Sequence, residues 1–593
     1  MIPTRTFDLL DRYIRLFPGK NVLASKYNGE WRHYTVNEYN ELSHFFAYGL
    51  LELGLEKGDK IVTVTNNRPE WNFVDMGMAM IGVIHVPVYT SMIEEQYQYI
   101  IEHSDAVMGF VSDRKLLEKV SKAAKKVKGF QTIYSFEDIE GVPNWMEVVE
   151  KGRNCPAETR VKAETIKSSI LPGDMVSLIY TSGTTGLPKG VMLSHGNLVS
   201  NFIAAAEVFQ LTPDDRYLSI LPLCHVGGRL GNYQTQHSGA CIYYAENMGT
   251  IAANLKEIRA DGFDAVPRIL EKVYDNVMAK GRALKGMKKQ IFFWAVKLGL
   301  RYRPFGENRW LYYKKLKIAD KLIFSKWRAA LGGSVRLVGC GGASLHPRIE
   351  RIFWAAGIKI LNMYGLTETS PIITINRQEK PLCRLGSVGA LINGVEMKIA
   401  GNGEILCRGE NVMIGYYKDE ELTKSVIDED GWFHTGDVGY IEEDTFLMIT
   451  DRKKEIFKLS NGKYIAPQII ENRIKESAFI DQVMVTGESE KFASALVVPD
   501  FNYLKEWRES QNQSPVSNNN ELISLPDVVS LFSKEISKLN TTLSEPERVM
   551  GFRILSDLWT PESGELSASL KLKRKFIEEK HRDLLESIYR RKS

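Results

Sequence analysis

The chain has 593 residues, of which 44% are hydrophobic and 25% are charged, the composition of an ordinary globular protein. Its 77 basic and 73 acidic residues give a formal net charge of only +4, which argues against a protein built to bind nucleic acid. A chain of this length exceeds what one hydrophobic core supports, so we expect at least two domains.

The amino-terminal residues 1–20 carry charges, such as Asp8, Asp11 and Arg12, among their apolar residues. They therefore lack the uninterrupted apolar stretch of a signal peptide, and no window of the chain reaches the roughly 18 uncharged apolar residues of a spanning helix. The six cysteines are scattered and form no C-x-x-C pair, so we expect reduced thiols rather than disulfides or a zinc site. These features predict a cytoplasmic protein and leave peripheral association with the inner face of a membrane open.

Short runs rich in β-branched residues alternate with amphipathic stretches of helical length from residue 60 to about 134, and again from 176 to about 361. This alternation predicts an α/β fold of mostly parallel, helix-covered sheets. The strand candidates are residues 61–64, 83–88, 107–111, 176–180, 217–221, 335–338 and 358–361.

After Gly386 the pattern predicts a small β-rich subdomain, because apolar runs at 395–399 and 404–407 flank a Gly-Asn-Gly turn signal. A charged cluster at 451–455 is predicted to mark the major boundary. We therefore expect an N-terminal domain of residues 1–452 and a smaller α+β C-terminal domain of residues 453–593. Within the latter, the polar tract at 510–521 is predicted to be a solvated loop.

The most informative string is YTSGTTGLPKG at residues 180–190, directly after a strand candidate. Its glycines and small hydroxyl residues let backbone N–H groups approach phosphate oxygens closely, and its lysine supplies a mobile cation. It is not a Walker loop, because Pro188 stands where that motif has its second glycine. The candidate phosphate-binding residues are Thr181, Ser182, Gly183, Thr184, Thr185, Gly186 and Lys189.

This string resembles the phosphate-loop signature of the adenylate-forming, or AMP-binding, superfamily, which includes acyl-CoA synthetases, luciferases and the adenylation domains of peptide synthetases. Ordered motifs extend the resemblance over nearly the whole chain. It implies ATP and Mg²⁺ as ligands, with Thr184 and Glu368 at the metal. It also implies an N-terminal domain that binds ATP and the acyl group, and a mobile C-terminal domain that carries a catalytic lysine.

The LPLCH string at 221–225 resembles the family's LPLxH segment, which implies that His225 lies near the acyl carboxylate. The long-chain enzymes usually continue with an aromatic residue and a glutamate, whereas this chain has Gly227 and Gly228. The VPRILEK string at 266–272 resembles a segment of the long-chain fatty acyl-CoA synthetases. That resemblance implies a long acyl substrate.

The YGLTET string at 364–369 is the second strong signal. The resemblance implies that Tyr364 packs on adenine, that Thr367 contacts the α-phosphate and that Glu368 holds Mg²⁺. A metal and fixed donors suit this chemistry, because a carboxylate that attacks a phosphate chain meets like-charge repulsion. A carboxylate oxygen is also the hard ligand that Mg²⁺ prefers. Met363 stands where the family usually has glycine.

Three further motifs complete the nucleotide site that the resemblance implies. The segment Gly341, Gly342 and Ala343 is expected to line the adenine pocket. Asp437 of a Thr-Gly-Asp string is expected to accept hydrogen bonds from the ribose hydroxyls, with Arg452 as a second ribose or phosphate contact. Lys454, two residues later, occupies the position that resembles the hinge between the domains.

The GELSASLKLKR string at 564–574 resembles the C-terminal lysine motif of the long-chain group. By that alignment Lys571 bridges the carboxylate and the α-phosphate during adenylation. Its basic neighbours Lys573, Arg574 and Lys575 are expected to face solvent or a phosphate of CoA.

These motifs predict a ligase that activates a fatty acid with ATP as acyl-AMP and transfers the acyl group to coenzyme A. Two alternatives stay open: an acyl-AMP ligase that loads an acyl carrier protein or another acceptor, and a non-catalytic acyl or nucleotide sensor. We expect fatty acid, ATP and CoA as partners and no nucleic acid. The oligomeric state, including a homodimer, is not determined by the sequence.

Overall fold

The structure is a computed structural model that describes residues 2–182, 187–567 and 571–590, apart from the side chains of Ser182 and Arg590. It contains two compact units. The first takes the residues up to Lys398 together with Leu406–His434 and Glu442–Leu447. The second takes Ile399–Ile405, Thr435–Ile441 and the residues from Met448 onward. The sequence-based division at residue 452 places the two short segments before Met448 in the N-terminal domain instead. That domain boundary stays a prediction.

Helices cover both units. The α-helices are α1 (Asp8–Leu16), α2 (Val36–Glu52), α3 (Pro69–Met80), α4 (Glu94–His103), α5 (Arg114–Ala124), α6 (Trp145–Arg153), α7 (Ala157–Ser169), α8 (His195–Phe209), α9 (Val226–Ser238), α10 (Ile251–Ile258), α11 (Pro267–Arg282), α12 (Gly286–Gly299), α13 (Trp310–Ala319), α14 (Ser325–Ala330), α15 (Pro347–Ala355), α16 (Glu420–Val426), α17 (Pro467–Ile474), α18 (Phe501–Ser510), α19 (Asn519–Ser524), α20 (Pro526–Asn540), α21 (Arg574–Lys580) and α22 (Arg582–Arg590). A π-helical turn (Asp320–Phe324) joins α13 to α14, and 3₁₀ turns lie at Thr367–Thr369 and Glu545–Glu547.

The strands form the sheets that these helices cover. They are β1 (Asn21–Tyr27), β2 (Glu30–Thr35), β3 (Lys60–Val64), β4 (Ile84–Val88), β5 (Ala106–Val111), β6 (Thr132–Ser135), β7 (Met175–Ser182), β8 (Pro188–Ser194), β9 (Arg216–Ser219), β10 (Cys241–Tyr244), β11 (Gly262–Ala265), β12 (Leu337–Cys340), β13 (Lys359–Gly365), β14 (Ile372–Ile375), β15 (Ala390–Leu391), β16 (Val395–Ile399), β17 (Glu404–Gly409), β18 (Gly415–Tyr416), β19 (Phe433–Glu442), β20 (Phe446–Arg452), β21 (Phe457–Lys458), β22 (Tyr464–Ile465), β23 (Ile480–Thr486), β24 (Ala493–Pro499) and β25 (Val549–Ile554).

Two large sheets build the first unit. One has the order β18-β8-β7-β4-β3-β5-β6, and its strands from β7 to β6 are parallel. The other has the order β15-β14-β13-β12-β11-β9-β10-β1-β2, with six parallel strands in the middle and antiparallel strands at both edges. The predicted mostly parallel, helix-covered sheets are therefore confirmed.

All seven predicted strands exist, and their ends differ by a few residues. The run at 217–221 stops as a strand at Ser219, because the chain turns at Pro222 into α9. The β1–β2 hairpin is absent from the predicted strands, although Asn28 and Gly29 both have positive φ and supply an Asn-Gly hairpin turn. The polar and apolar residues of these two strands do not alternate cleanly, so the sequence pattern does not predict the strands.

The second unit has its own hydrophobic core and a three-stranded sheet in the order β23-β24-β25. The predicted hairpin at the Gly-Asn-Gly turn is confirmed, since the Ala400 N–H donates to the Glu404 carbonyl at 2.9 Å and Gly403 has a φ of +82°. The predicted loop at 510–521 is only partly correct. Its end is the first turn of α19, which the Asn518 side chain caps.

None of the helices in the described ranges combines the length and the apolar composition that crossing a membrane requires.

Candidate active site

The described ends of the predicted phosphate-binding string belong to the hairpin of β7 and β8. β7 and β8 pair antiparallel, and Thr181 stands opposite Lys189 at the base of the turn. Ser182 ends β7. Four of the predicted phosphate-binding residues, Gly183, Thr184, Thr185 and Gly186, lie outside the described residues. The string therefore begins at the carboxyl end of a strand, as predicted, and Lys189 is on the returning strand β8.

A tyrosine that the motif analysis missed connects this hairpin to Glu368. β18 pairs with β8, with Tyr416 opposite Val191. The Lys189 Nζ atom lies 5.3 Å from the centre of the Tyr416 ring, within the range of a cation–π contact. The Tyr416 hydroxyl donates a hydrogen bond of 2.8 Å to Glu368 Oε1. Burial, together with the charge of this carboxylate, raises the pKa of Tyr416, so the hydroxyl keeps its proton and its role as donor.

The backbone ties the same two segments together. The Met413 N–H donates to the Glu368 carbonyl at 2.9 Å, and the Tyr417 N–H donates to the Gly190 carbonyl at 2.8 Å. Residues 413–417 thus form a strap between the 3₁₀ turn and the phosphate hairpin. Both ends of the strap are hydrogen bonded. The strap therefore holds the strand of Lys189 and the turn of Glu368 in fixed positions relative to each other.

Tyr364 lies near the end of β13 and is buried, with 8% of its surface exposed. At the next residue, Gly365, another backbone segment passes close by. A side chain at Gly365 would collide with the Pro371 carbonyl, so this position requires glycine. Met363, which stands where the family usually has glycine, packs over the glycine-rich turn after β12. A Cβ atom added at Gly341 would lie only 2.7 Å from Met363 Cγ.

The next residues of that turn, Gly342 and Ala343, are exposed. Gly342 has a φ of +84°, and a Cβ atom added there would meet nothing closer than 3.9 Å. The turn therefore offers the open backbone surface that a flat base needs.

His225 caps the amino terminus of α9. Its Nδ1 accepts a hydrogen bond of 3.0 Å from the Gly227 N–H. A neutral ring that accepts at Nδ1 carries its proton at Nε2, so His225 is set as a donor through Nε2. A side chain at Gly228 would collide with the Pro222 and Leu221 carbonyls. Gly228 departs from the family pattern because the backbone of Leu221 and Pro222 passes too close to this position for a side chain.

The turn before α9 is held by a residue that the motif analysis also missed. Asn67 Nδ2 donates to the Leu221 carbonyl at 2.7 Å, and Asn67 Oδ1 accepts from the Leu223 N–H at 3.0 Å. A single asparagine in the loop after β3 carries no recognisable motif. Its role appears only once the loop after β3 lies against this turn.

A fully buried polar cluster lies beneath α9. Arg229 of α9 forms an ion pair with Asp75 at 2.5 Å and donates to the Ser177 hydroxyl of β7. His85 Nδ1 lies 2.6 Å from Asp75, and the Tyr233 hydroxyl donates to the same carboxylate. Burial raises the pKa of Asp75, but Arg229 and these hydrogen bonds outweigh burial and leave it lowered. The cluster joins the helix that His225 caps to the strand that leads into the phosphate hairpin.

Asp264 faces a small cavity between α9 and the sheet. The cavity has a volume of about 10 Å³, roughly the room for one water molecule. Asp264 Oδ1 accepts a hydrogen bond of 2.9 Å from the Tyr217 hydroxyl, and no described cation contacts the carboxylate. The carboxylate lies against Gly231 and Gly339, where any Cβ atom would clash with it. Burial raises the pKa of Asp264 to about 7, and the Tyr217 hydrogen bond opposes this shift.

This raised pKa predicts a pH-dependent effect of Asp264→Asn. Between about pH 4 and 7 the folded wild type holds a proton on Asp264 that the unfolded chain has lost, so wild-type stability falls as the pH rises through this window. The asparagine cannot ionise. We expect Asp264→Asn to stabilise the protein relative to wild type by roughly 1–3 kcal/mol at pH 8, and by much less at pH 4.

Thermal unfolding of both proteins across this pH range checks the prediction. Asp214→Asn is the matched control, because Asp214 is an exposed aspartate of the same sheet region. A stability difference between Asp264→Asn and wild type that does not change with pH would contradict the proposed protonation.

The ribose-binding candidates lie in the second unit. Arg452 Nε is 3.2 Å from Asp437 Oδ1, and the aspartate side chain is only 7% exposed while the arginine side chain is 43% exposed. The Asp437 N–H donates to Thr435 Oγ1 at 3.1 Å, and that hydroxyl donates to the Ile405 carbonyl at 2.7 Å. The carboxylate is thus fixed by the Thr-Gly-Asp turn, and the guanidinium is positioned beside it.

Lys454 is exposed in the turn between β20 and β21. The preceding residue, Lys453, is anchored: its N–H donates to the Gly436 carbonyl, and its Nζ forms an ion pair of 2.8 Å with Glu404. The turn therefore begins at a fixed residue and presents Lys454 to solvent.

Lys571 is exposed. Its N–H donates to Ser567 Oγ at 3.0 Å, its carbonyl accepts from the Ser567 N–H at 2.8 Å, and Leu566 bridges to Leu572. The expectation for Arg574 is wrong. Its guanidinium does not face solvent but forms ion pairs with Glu471 at 2.7 Å and Glu455 at 3.0 Å.

The structure thus brings some of the predicted site residues together within each unit. Lys189 and Glu368 meet through Tyr416 in the first unit, and Asp437 meets Arg452 in the second. The side chain of Thr367 is buried at 9% exposure beside Glu368. Among the described residues, no group of three or more His, Cys, Asp and Glu side chains could hold a metal ion by itself.

Comparison with known proteins gives consistent matches. The profile of the AMP-binding enzyme family matches residues 10–417, and that of the AMP-binding enzyme C-terminal domain matches residues 454–593. The long-chain-fatty-acid–CoA ligase FadD15 of Mycobacterium bovis is 32% identical over 95% of this chain and 93% of its own length. Long chain acyl-CoA synthetase 1 of Arabidopsis thaliana is 29% identical over 99% of this chain and 93% of its own.

Solved structures share the fold. The anthranilate CoA ligase AuaEII, in complex with anthranoyl-AMP, superposes with a TM-score of 0.72 at 17% identity, covering 98% of this chain and 97% of that one. The o-succinylbenzoate CoA synthetase of Bacillus subtilis, with ATP and a magnesium ion, superposes with a TM-score of 0.67 at 19% identity, covering 96% and 98%.

Proposed function

The chain belongs to the AMP-binding enzyme family, and from that premise we propose that it is a long-chain fatty acid–CoA ligase. In the first half-reaction a fatty carboxylate attacks the α-phosphorus of ATP, which forms acyl-AMP and releases pyrophosphate. In the second, the thiol of CoA attacks the acyl carbon, the thioester forms and AMP leaves. The Lys189–Tyr416–Glu368 arrangement is the observation that carries the proposal, because it joins a phosphate hairpin to a carboxylate suited to Mg²⁺.

The first half-reaction needs positive charge around the polyphosphate. The hairpin with Thr181 and Lys189 binds the β- and γ-phosphates, and Thr367 contacts the α-phosphate. Gly341, Gly342, Ala343 and Tyr364 hold the adenine. The fixed carboxylate of Asp437 accepts the ribose hydroxyls, and Arg452 adds a donor. Preorganised groups of this kind stabilise charge without reorganising as the reaction proceeds.

A magnesium ion fits the donors on this chain. Mg²⁺ is usually held by one or two carboxylates together with substrate phosphates and water, and Glu368 offers one partly exposed carboxylate whose orientation Tyr416 fixes. Glu368 would hold the ion, with Thr184 as the second predicted contact. When bound, the ion supplies electrostatic neutralisation of the phosphate oxygens.

The acyl carboxylate is proposed to lie at His225. A neutral ring with its proton at Nε2 can donate a hydrogen bond to the carboxylate and orient it for attack. The curated relatives named above are long-chain enzymes, and the VPRILEK string begins α11 beside the turn after β12. These are the grounds for assigning a long acyl chain.

Lys571 is proposed as the catalytic residue that joins the carboxylate and the α-phosphate in the first step. We place the domain boundary at residues 452 and 453 and propose Lys454 as the hinge. Rotation of the C-terminal domain about this point would let the phosphopantetheine thiol replace the lysine in the second step. An exposed turn that begins at the anchored Lys453 suits such a pivot.

A panel of acids from acetate to stearate tests the proposed substrate. We expect pyrophosphate release to increase with chain length by about fourfold per methylene buried, the equivalent of about 0.8 kcal/mol, until the acyl pocket is filled. With CoA present, acyl-CoA and AMP should appear together. A maximum at acetate would defeat the long-chain assignment and leave the adenylation chemistry intact.

The same assay separates the alternatives. If holo-acyl carrier protein accepts the acyl group and CoA does not, the protein is an acyl-AMP ligase. If no acid in the panel releases pyrophosphate, the protein is a sensor that binds acyl or nucleotide ligands without catalysis. A reaction without added acid is the control for ATP hydrolysis.

A further inference from the structure

The helical segment from Lys280 to Ala330 is unusually basic. It contains fifteen Lys and Arg residues against two acidic residues, a net charge of +13 in a chain whose total is +4. The rest of the chain therefore carries a net charge of −9. Both acidic residues are already paired, Glu307 with Lys380 at 2.9 Å and Asp320 with Arg328 at 2.5 Å. The segment thus carries a concentrated positive charge that its own two acidic residues do not balance.

The outer face of α13 combines this charge with exposed apolar side chains. Trp310 is 64% exposed, Leu311 54%, Ile318 55% and Leu322 41%. The last three are spaced by seven and four residues, so they form one stripe along the helix and the turn that follows it. Single exposed apolar side chains are common on protein surfaces, but a group of large ones exposed together on one surface is unusual.

Lysines flank the stripe. Lys314, Lys315, Lys317 and Lys321 are exposed, and none of them forms an ion pair with a described residue. The Lys314 Nζ lies 4.4 Å from the centre of the Trp310 ring. Indole and aliphatic side chains bordered by lysines are the pattern of a helix that lies in a membrane interface.

The opposite face of α13 packs on the protein. Ala319 of α13 and Ile323 of the π-helical turn that follows are buried, and the Tyr312 hydroxyl donates to the Leu298 carbonyl of α12 at 2.8 Å. The helix is therefore held in place by its inner face, so the outer face is presented without any part of the chain having to unfold.

We propose that the outer face of α13, formed by Trp310, Leu311, Ile318, Leu322 and the flanking lysines, docks on an anionic lipid surface. The side chains of the stripe enter the interface, and the lysines meet the anionic headgroups. A second copy of the chain fits this face poorly because two strongly basic faces repel each other. Nucleic acid leaves the aliphatic stripe without a partner.

Sedimentation of the whole protein with vesicles tests the proposal. We expect binding to phosphatidylcholine vesicles that contain phosphatidylglycerol, little binding to pure phosphatidylcholine, and weakening of the binding by salt. Each lysine near an anionic surface contributes roughly fivefold to affinity. The triple variant Lys314→Glu, Lys315→Glu, Lys317→Glu should therefore lose roughly a hundredfold or more.

Two matched controls separate the docking face from the general surface. Lys119→Glu, Lys122→Glu, Lys125→Glu reverses three exposed lysines around α5 and should retain most of the binding. Trp310→Ser, Leu311→Ser, Ile318→Ser should weaken binding, whereas Val161→Ser, Leu171→Ser, Met248→Ser, at side chains of similar exposure, should not.

Several outcomes would overturn the proposal. They are wild-type protein that does not bind the anionic vesicles, equal losses in the α5 control, or dissociation of a dimer by the α13 variants with vesicle binding unchanged. Binding of duplex DNA that the α13 lysine variant abolishes, without any vesicle binding, would assign the face to nucleic acid instead. Unchanged thermal stability and acyl-AMP formation from detergent-dispersed acid would show that the variants are folded.

Discussion

A Lys571→Ala enzyme is expected to lose acyl-AMP formation by about 10²–10³-fold, the usual cost of removing one group that stabilises transition-state charge. It should still convert supplied acyl-AMP and CoA into the thioester, because the proposed role of the lysine ends with adenylation. The Lys571 side chain is exposed, and the backbone contacts with Ser567 do not depend on it. Truncation should therefore change the stability of the protein little.

ATP–pyrophosphate exchange measures the first half-reaction, and single-turnover thioester formation from acyl-AMP measures the second. Lys573→Ala is the matched control, since Lys573 is an exposed lysine two residues away, and its exchange rate should stay close to that of wild type. Equal losses in both half-reactions would contradict the assignment of Lys571 to adenylation alone.

The second large effect is expected on stability, from Arg229→Met. Arg229 is fully buried and its removal leaves the Asp75 carboxylate, 1% exposed, without its cation. Breaking a buried pair in this way costs about 3–5 kcal/mol, because an uncompensated charge stays in a region of low polarity. We expect the loss in the unfolding transition of the N-terminal domain, measured in urea by tryptophan fluorescence.

Two further variants identify the cause. Arg216→Met removes a partly exposed arginine whose ion pair with Asp261 spans 3.7 Å, and it should cost less than about 1 kcal/mol. The double variant Asp75→Asn, Arg229→Met removes both charges and should recover much of the loss. If the double variant is as unstable as Arg229→Met alone, packing rather than charge is responsible.

The motif residues of the candidate site could be predicted because each acts through a short contiguous string. Lys189, Glu368 and Asp437 were identified in that way. Tyr416 was not, because it forms its hydrogen bond with Glu368 across 48 residues of sequence. The relation appears only once β18 pairs with β8, and pairing between distant strands leaves no local pattern.

Asn67 and Asp264 illustrate the same limit. Asn67 lies in the loop after β3 and Asp264 lies within β11, and neither belongs to a recognisable motif. The importance of Asn67 comes from two hydrogen bonds to the turn that precedes α9. The unusual protonation of Asp264 comes from burial beside Gly231 and Gly339, which lie on two other elements.

The sequence by itself determined the α/β class, the positions of the seven predicted strands to within a few residues, the family and the order of its motifs. The period of apolar residues, the turn residues and the chemistry of the phosphate loop are local properties. Local properties can be read along the chain. The tertiary structure decided the order of strands in the sheets, the strap that joins Lys189 to Glu368, the burial of Arg229 and the exposed stripe of α13. These features depend on which distant surfaces exclude water from one another, and that is settled only when the chain packs.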